Sequence, residues 1–128
     1  MVAYSFKQQF AAPILSGAKR QTIRAPRQGR AGHAKPGDAL QLYTAMRTKQ
    51  CRLIARATCL GTTLIFLDLP HNVVHVGGAV YQGWKALDTF ARQDGFDSWL
   101  SMTAFWRDNH GASDWSGILI RWAGLAIP

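Results

Sequence analysis

From Cys51 to Cys59 the chain alternates at every step, with Cys51, Leu53, Ala55, Ala57 and Cys59 on one side and Arg52, Ile54, Arg56 and Thr58 on the other. Only an extended backbone sends every second side chain to the same face, so this stretch predicts a strand with the first set in the core. The second set puts two arginines on a solvent face. Other segments follow the same logic. Tyr4 to Phe6, Gln21 to Arg24, Ala39 to Thr44, Thr62 to Leu67 beyond Gly61, Asn72 to Val76, and Ile118 to Trp122 read as short strands. Lys7 to Leu15 reads as a helix. Pro13 cannot donate to the carbonyl four residues back, so the helix is kinked there or its first turn begins near Ala11, and Gly17 suits the left-handed position that stops it. After the Gly77-Gly78 loop the period changes to helical. One helix spans Trp84 to Gln93, and a second runs from an Asp97 N-cap to about Asn109. With five to six of these seven segments forming the barrel wall, an early helix and a helical pair before the last strand predict an α+β fold, a small β-barrel in one domain over residues 1–128.

Charge is unevenly divided. The chain has 15 Lys and Arg against seven acids, all aspartate. Residues 1–64 carry eleven cations and only Asp38, a net of +10, whereas residues 65–128 carry four cations and six aspartates. A basic half of this kind attracts polyanions, with nucleic acid or nucleotides first among them. Nearly half the chain is apolar, which excludes global disorder. Leu64 to Leu67 is broken by Asp68 and Pro70, so no membrane span is expected, and the start Met1 to Lys7 lacks the pattern of a secretory signal. A cytoplasmic protein follows, with Cys51 and Cys59 as core thiols.

Chemistry concentrates in Ser16-Gly17-Ala18-Lys19-Arg20-Gln21-Thr22-Ile23-Arg24. A turn, a lysine, a hydroxyl and two guanidinium groups fall within nine residues between a helix and a strand. Thr22 and Arg24 point the same way on that strand, Ile23 the other. Lys19 and Thr22 can act as base and nucleophile, and Arg20 and Arg24 can hold an anionic or polar ligand while easing deprotonation of the lysine. The plainer alternative makes Gly17 a helix cap, Thr22 a strand residue and the cations solvated. The basic loop at 25–37 follows, and its three glycines lack the spacing and terminal Lys-Ser/Thr of a phosphate loop.

The order strand, helix, Gly17-x-Lys19-x-x-Thr22-Ile23-Arg24, basic loop, Lys35-Pro36-Gly37-Asp38-x-Leu40-x-Leu42 and the Cys51 strand resembles the ASCH domain, a β-barrel family related to the PUA RNA-binding domains. The likeness resumes at Phe90 to Phe96, the aromatic helix Trp99 to Trp106 and the final strand. Within that superfamily the chain looks most like the small bacterial N4-acetylcytidine amidohydrolases. The resemblance implies a catalytic set of Lys19, Thr22 and Asp94, the last standing where those enzymes carry a glutamate. It implies hydrolysis of the acyl group from an N4-acylated cytosine or cytidine, a modified nucleoside as ligand, and no cofactor or metal.

Residue chemistry is consistent with that set. A lysine with an ordinary pKa of about 10.4 must fall toward about 7–8 to serve as base, and burial near Arg20 and Arg24 acts in that direction. Asp94 opposes the shift, which fits orientation or proton control. Arg24 is placed to bind a pyrimidine carbonyl or a developing oxyanion. Tyr43, Tyr81 and Trp84 are candidates to stack on a base, with Tyr43 taken as substrate-binding. His71-x-x-x-His75 has a metal-like interval but lies on an extended segment. A second function remains open: an RNA-binding module, with or without ribonuclease activity, using the basic half without amide chemistry.

Overall fold

The computed structural model describes residues 1–27, 32–111 and 113–128. Residues 28–31 of the basic loop, Arg30 included, lie outside these. In chain order the elements are β1 (Val2–Phe6), a 3-10 turn (Gln8–Phe10), α1 (Ala11–Ser16), β2 (Gln21–Arg24), β3 (Ala39–Thr44), β4 (Arg52–Asp68), β5 (Val73–Val76), β6 (Ala79–Gln82), α2 (Trp84–Gln93), α3 (Trp99–His110) and β7 (Trp115–Ala126). The α+β class holds. No described helix is long and apolar enough to cross a membrane.

The strand β4 is the spine. Thr58 and Arg56 pair with β3 on one side and β7 on the other, while Ile65 to Leu67 pair with β5 and β7. Two short strands therefore share one edge of β4, and β7 runs along the other. A 17-residue strand would extend about 55 Å if straight, so it must bend to serve a chain of this size. Register shifts against β7 between Arg56 and Thr58, and between Cys59 and Gly61, supply the bend. Gly61 was expected to separate two strands; instead the ladder continues past it as a bulge.

Among the described residues the sheet has seven strands, in the order β1-β3-β4-β5-β6, with β7 on β4 and β2 on β7. It is open, which corrects the expected closed barrel. Among the described residues no ladder joins β1 to β2. Side chains span the seam instead: Arg24 Nη2 donates to Ser5 O at 2.7 Å and Arg27 Nη2 to Ala3 O at 3.3 Å. Ala3 and Ser5 are two apart, so their carbonyls face the same strand edge.

Several boundaries differ from expectation for local reasons. The early helix starts as a 3-10 turn and becomes α-helical at Ala11, as Pro13 requires, and Gly17 caps it at φ 85°. Val76 and Ala79 pair across Gly77-Gly78, so that glycine pair is a two-residue hairpin turn and β6 an additional strand. Ser98, not Asp97, caps α3, because its hydroxyl accepts from Ser101 N while Ser101 Oγ accepts from Ser98 N. Cys59 is buried, but Cys51 precedes β4 and is exposed, and Ile54, which the alternation sets among the solvent-facing residues, lies in the core because it is the extra residue where β4 shifts register against β3.

Two hydrophobic cores result, one on each face of the sheet. Tyr4, Phe6, Phe10, Ile14, Leu40, Leu42, Ile54, Ala55, Ala57, Cys59, Ile120 and Trp122 make up the first. Ile65, Leu67, Val74, Leu87, Phe90, Trp99, Met102 and Leu119 pack under α2 and α3. Neighbours Leu119 and Ile120 are both fully buried because β7 is covered on both faces. Leu119→Ala and Ile120→Ala should therefore each cost about 2–5 kcal/mol in urea unfolding. Leu64→Ala, at a position 71% exposed, should cost far less, and equal effects at all three would refute the two-core arrangement.

Candidate active site

Backbone hydrogen bonds bring the two halves of the site together. Lys19 N donates to Pro13 O, Arg20 N to Gln93 O and Trp122 N to Arg20 O, all at 2.9–3.1 Å. The segment entering β2 is thereby stitched to the end of α2. Gly95 follows that helix at φ +95°, and a Cβ there would lie 2.7 Å from Lys19 Cδ. Only glycine accommodates both the left-handed backbone and the lysine stem crossing it.

Lys19 is buried to 3% exposure, and its Nζ donates to the main-chain oxygen of Asp94 at 2.6 Å. That carbonyl ends α2, where the helix dipole favours a cation. The Asp94 carboxylate lies 3.9 Å from Nζ and accepts from Gln21 Nε2 at 3.4 Å. The rings of Phe10 and Phe6 add cation-π contacts at 4.7 and 5.5 Å. Thr22 is also buried, and its Oγ1 accepts from Arg24 Nε at 3.1 Å. The guanidinium lies over Tyr4 and Phe6.

The electrostatics follow from burial. Loss of water lowers the Lys19 pKa to about 8; Asp94 opposes this and Arg24 reinforces it. Burial raises Asp94 to about 6, against the pull of Lys19, Gln21 and Arg24. Arg24, although lowered by burial, stays a cation at neutral pH.

Lys19, Thr22, Arg24 and Asp94 line one cleft of about 320 Å³ at the unpaired seam between β1 and β2. Its walls come from both cores, Phe6 and Phe10 from one, Trp106 from the other, and Phe96 and Phe105 touching both. Other sequence candidates fall elsewhere. Arg20 is exposed and lines a separate depression with Leu60 and Arg121, so it is Arg24, and not Arg20, whose charge acts on Lys19. Tyr43 on β3 does not line the cleft. Tyr81 packs on Phe90, and Trp84 stands outside on the first turn of α2. His71 bonds Asp68 while His75 faces Phe66, and among the described residues no three His, Cys, Asp or Glu side chains gather as a metal site.

Sequence reading missed Gln21, Gly95 and the aromatic wall made by Trp106, His110 and Trp115. Gly95 carried a signal, as a glycine next to the proposed acid; the others depend on long-range contacts. Comparisons with protein-family models, curated proteins and solved structures returned no match.

A lysine whose pKa is lowered in the folded state favours folding more as pH rises from about 8 to its unfolded value near 10.5, where the unfolded chain binds the extra proton. The urea midpoint of the wild type should therefore rise over this window by more than that of Lys19→Met, with a difference of up to about 3 kcal/mol in stability. Parallel pH curves would show that burial does not perturb Lys19. Gly95→Ala, which places a methyl against the lysine stem, should cost about 1–3 kcal/mol in the same assay.

Proposed function

We propose that this cleft hydrolyses the amide of an N4-acylated cytosine or cytidine, in a domain of the ASCH and PUA-like kind, with Thr22 as nucleophile and Lys19 as base. The observation that carries the reading is the meeting, in one partly apolar cleft, of a buried lysine near pKa 8, a buried threonine held by an arginine, and a carboxyl 72 residues further along the chain. A lysine of that pKa is neutral in about a tenth of molecules at pH 7, whereas an ordinary one is neutral in well under a hundredth.

Neutral Lys19 takes the Thr22 proton as Oγ1 adds to the acyl carbon. Arg24, already donating to Oγ1, stabilises the negative charge that builds there and on the acyl oxygen. The tetrahedral species collapses by breaking the acyl C–N4 bond, and the Lys19 ammonium returns its proton to the departing amine. Water then adds to the Thr22 ester with Lys19 again as base, releasing a carboxylic acid and restoring the hydroxyl. Among the described residues no hydrogen bond joins Lys19 Nζ to Thr22 Oγ1; in this scheme the lysine leaves the Asp94 carbonyl to reach the hydroxyl. Asp94 raises the lysine pKa and holds its head group, which is a role in positioning and proton control.

A second reading is favoured by a specific feature: Arg27, Lys35, Arg47, Lys49, Arg52 and Arg56 are all exposed. These cations suit a single-stranded RNA, whose affinity would fall with salt at a log-log slope of about −0.7 per phosphate contact.

Purified protein incubated with N4-acetylcytidine should release cytidine, with kcat rising with pH to a plateau above about 8. Thr22→Ala and Lys19→Arg should each lower kcat by on the order of 10³, because a guanidinium keeps the charge and cannot act as base. Asp94→Asn removes the carboxylate that holds the lysine proton, so the rising limb should move to lower pH. Full activity in Thr22→Ala would overturn the nucleophile, and a wild type inert toward acylated cytosines would overturn the hydrolase.

A further inference from the structure

The wall of the cleft contributed by α3 and β7 is built from rings that the amide chemistry does not use. Trp106, His110 and Trp115 all line the cleft. The His110 and Trp106 ring centres are 4.3 Å apart with the planes tilted by 35°, and Trp115 meets Trp106 at 4.7 Å and His110 at 6.0 Å. Trp106 is buried, which leaves half-buried Trp115 and exposed His110 as the more accessible of the three rings.

Trp115 has a prepared seat. A Cβ added at Gly117 would lie 2.3 and 2.4 Å from two carbons of the Trp115 six-membered ring and 2.5 Å from the Arg24 carbonyl. Both residues are on β7, two apart, so their α-carbons face the same way. Glycine at 117 lets the indole lie down against the strand beside Arg24, which itself holds Thr22. Partial desolvation and the Lys7 charge lower the His110 pKa, which favours the neutral imidazole and its aromatic face.

We infer that Trp115, seated on Gly117 and flanked by His110, is a stacking surface for the planar ring of the ligand, and that it determines ring affinity separately from the Lys19 and Thr22 chemistry. The ligand class is a planar nitrogen heterocycle of nucleobase size. The choice of cytosine as that ring rests on the hydrolase reading; the stacking surface does not. Stacking on such a face tolerates many bases, so selection of the acylated amine belongs to the Thr22 end of the cleft.

Titration of the protein with cytidine, followed by tryptophan fluorescence, tests this without turnover. Saturable quenching is expected in the wild type and in Trp84→Phe, whose indole lies outside the cleft. Trp115→Ala should bind cytidine about 10-fold more weakly or worse by calorimetry, with Trp115→Phe restoring most of the affinity. Toward N4-acetylcytidine, Trp115→Ala should raise KM by a similar factor with kcat within about twofold of wild type. Cytidine binding that depends on Trp115 in a protein without hydrolase activity would sustain the stacking surface and overturn the hydrolase. Hydrolysis with an unchanged KM in Trp115→Ala would do the reverse, and absence of both binding and turnover would overturn both. A Trp115→Ala protein unfolded by circular dichroism shifts the decision to Trp115→Leu, which keeps bulk without a π-face and should show the same loss of affinity.

Discussion

An ammonium group removed from water must be given charge and hydrogen bonds by the protein, and meeting that requirement for Lys19 shapes the centre of this molecule. The end of α2 supplies a carbonyl at 2.6 Å, the Asp94 carboxylate a charge at 3.9 Å and Phe10 a ring face at 4.7 Å. To deliver them, α2 must stop at Gly95 with a left-handed backbone, and the chain entering β2 must be bonded to Gln93. Among the described residues every buried side-chain nitrogen and oxygen has a partner. Buried pairs of this kind often contribute less to stability than apolar residues of the same volume. Lys19 is buried beside a hydroxyl and an arginine in the wall of the cleft, the arrangement on which the proposed chemistry rests.

The cleft exists because the sheet does not close. Had β1 and β2 paired along their backbones, their edges would have been about 5 Å apart and no ligand could enter between them. Arg24 and Arg27 instead reach across to the carbonyls of Ser5 and Ala3, satisfying the edge of β1 with side chains. Arg24 thereby has two tasks, holding the seam with Nη2 and Thr22 with Nε. The two cores meet at the same place, so the walls are aromatic from both directions.

The strand alternation from Ala55 to Cys59, the Pro13 limit on α1, the Gly17 cap and the bounds of β2, β3 and α2 were legible in the chain, because each depends on neighbours a few residues away, whereas the alternation fails at Ile54, where a register shift against β3 turns that side chain into the core. The grouping of Lys19, Thr22 and Arg24 was legible for the same reason. Misreadings came where local signals competed. Gly61 looks like a break, yet β7 pairs on both sides of it and absorbs the irregularity as a bulge. Alternation along β7 puts Leu119 and Ile120 on opposite faces, and the helices laid over β7 bury the Leu119 side as well. Arg20 and Arg24 look equivalent in composition, but just one of them lines the cleft.

By itself the sequence determined the strand and helix periods, the uneven charge and the proximity of a base, a hydroxyl and a guanidinium, since these are properties of short stretches and of composition. The tertiary structure alone decided that β1 and β2 stay unpaired, that Asp94 reaches Lys19 chiefly through its carbonyl and that Trp115 lies on Gly117. Those outcomes depend on contacts between segments far apart in the chain. Their geometry is set by how two cores pack against one bent strand, and no local pattern carries that information.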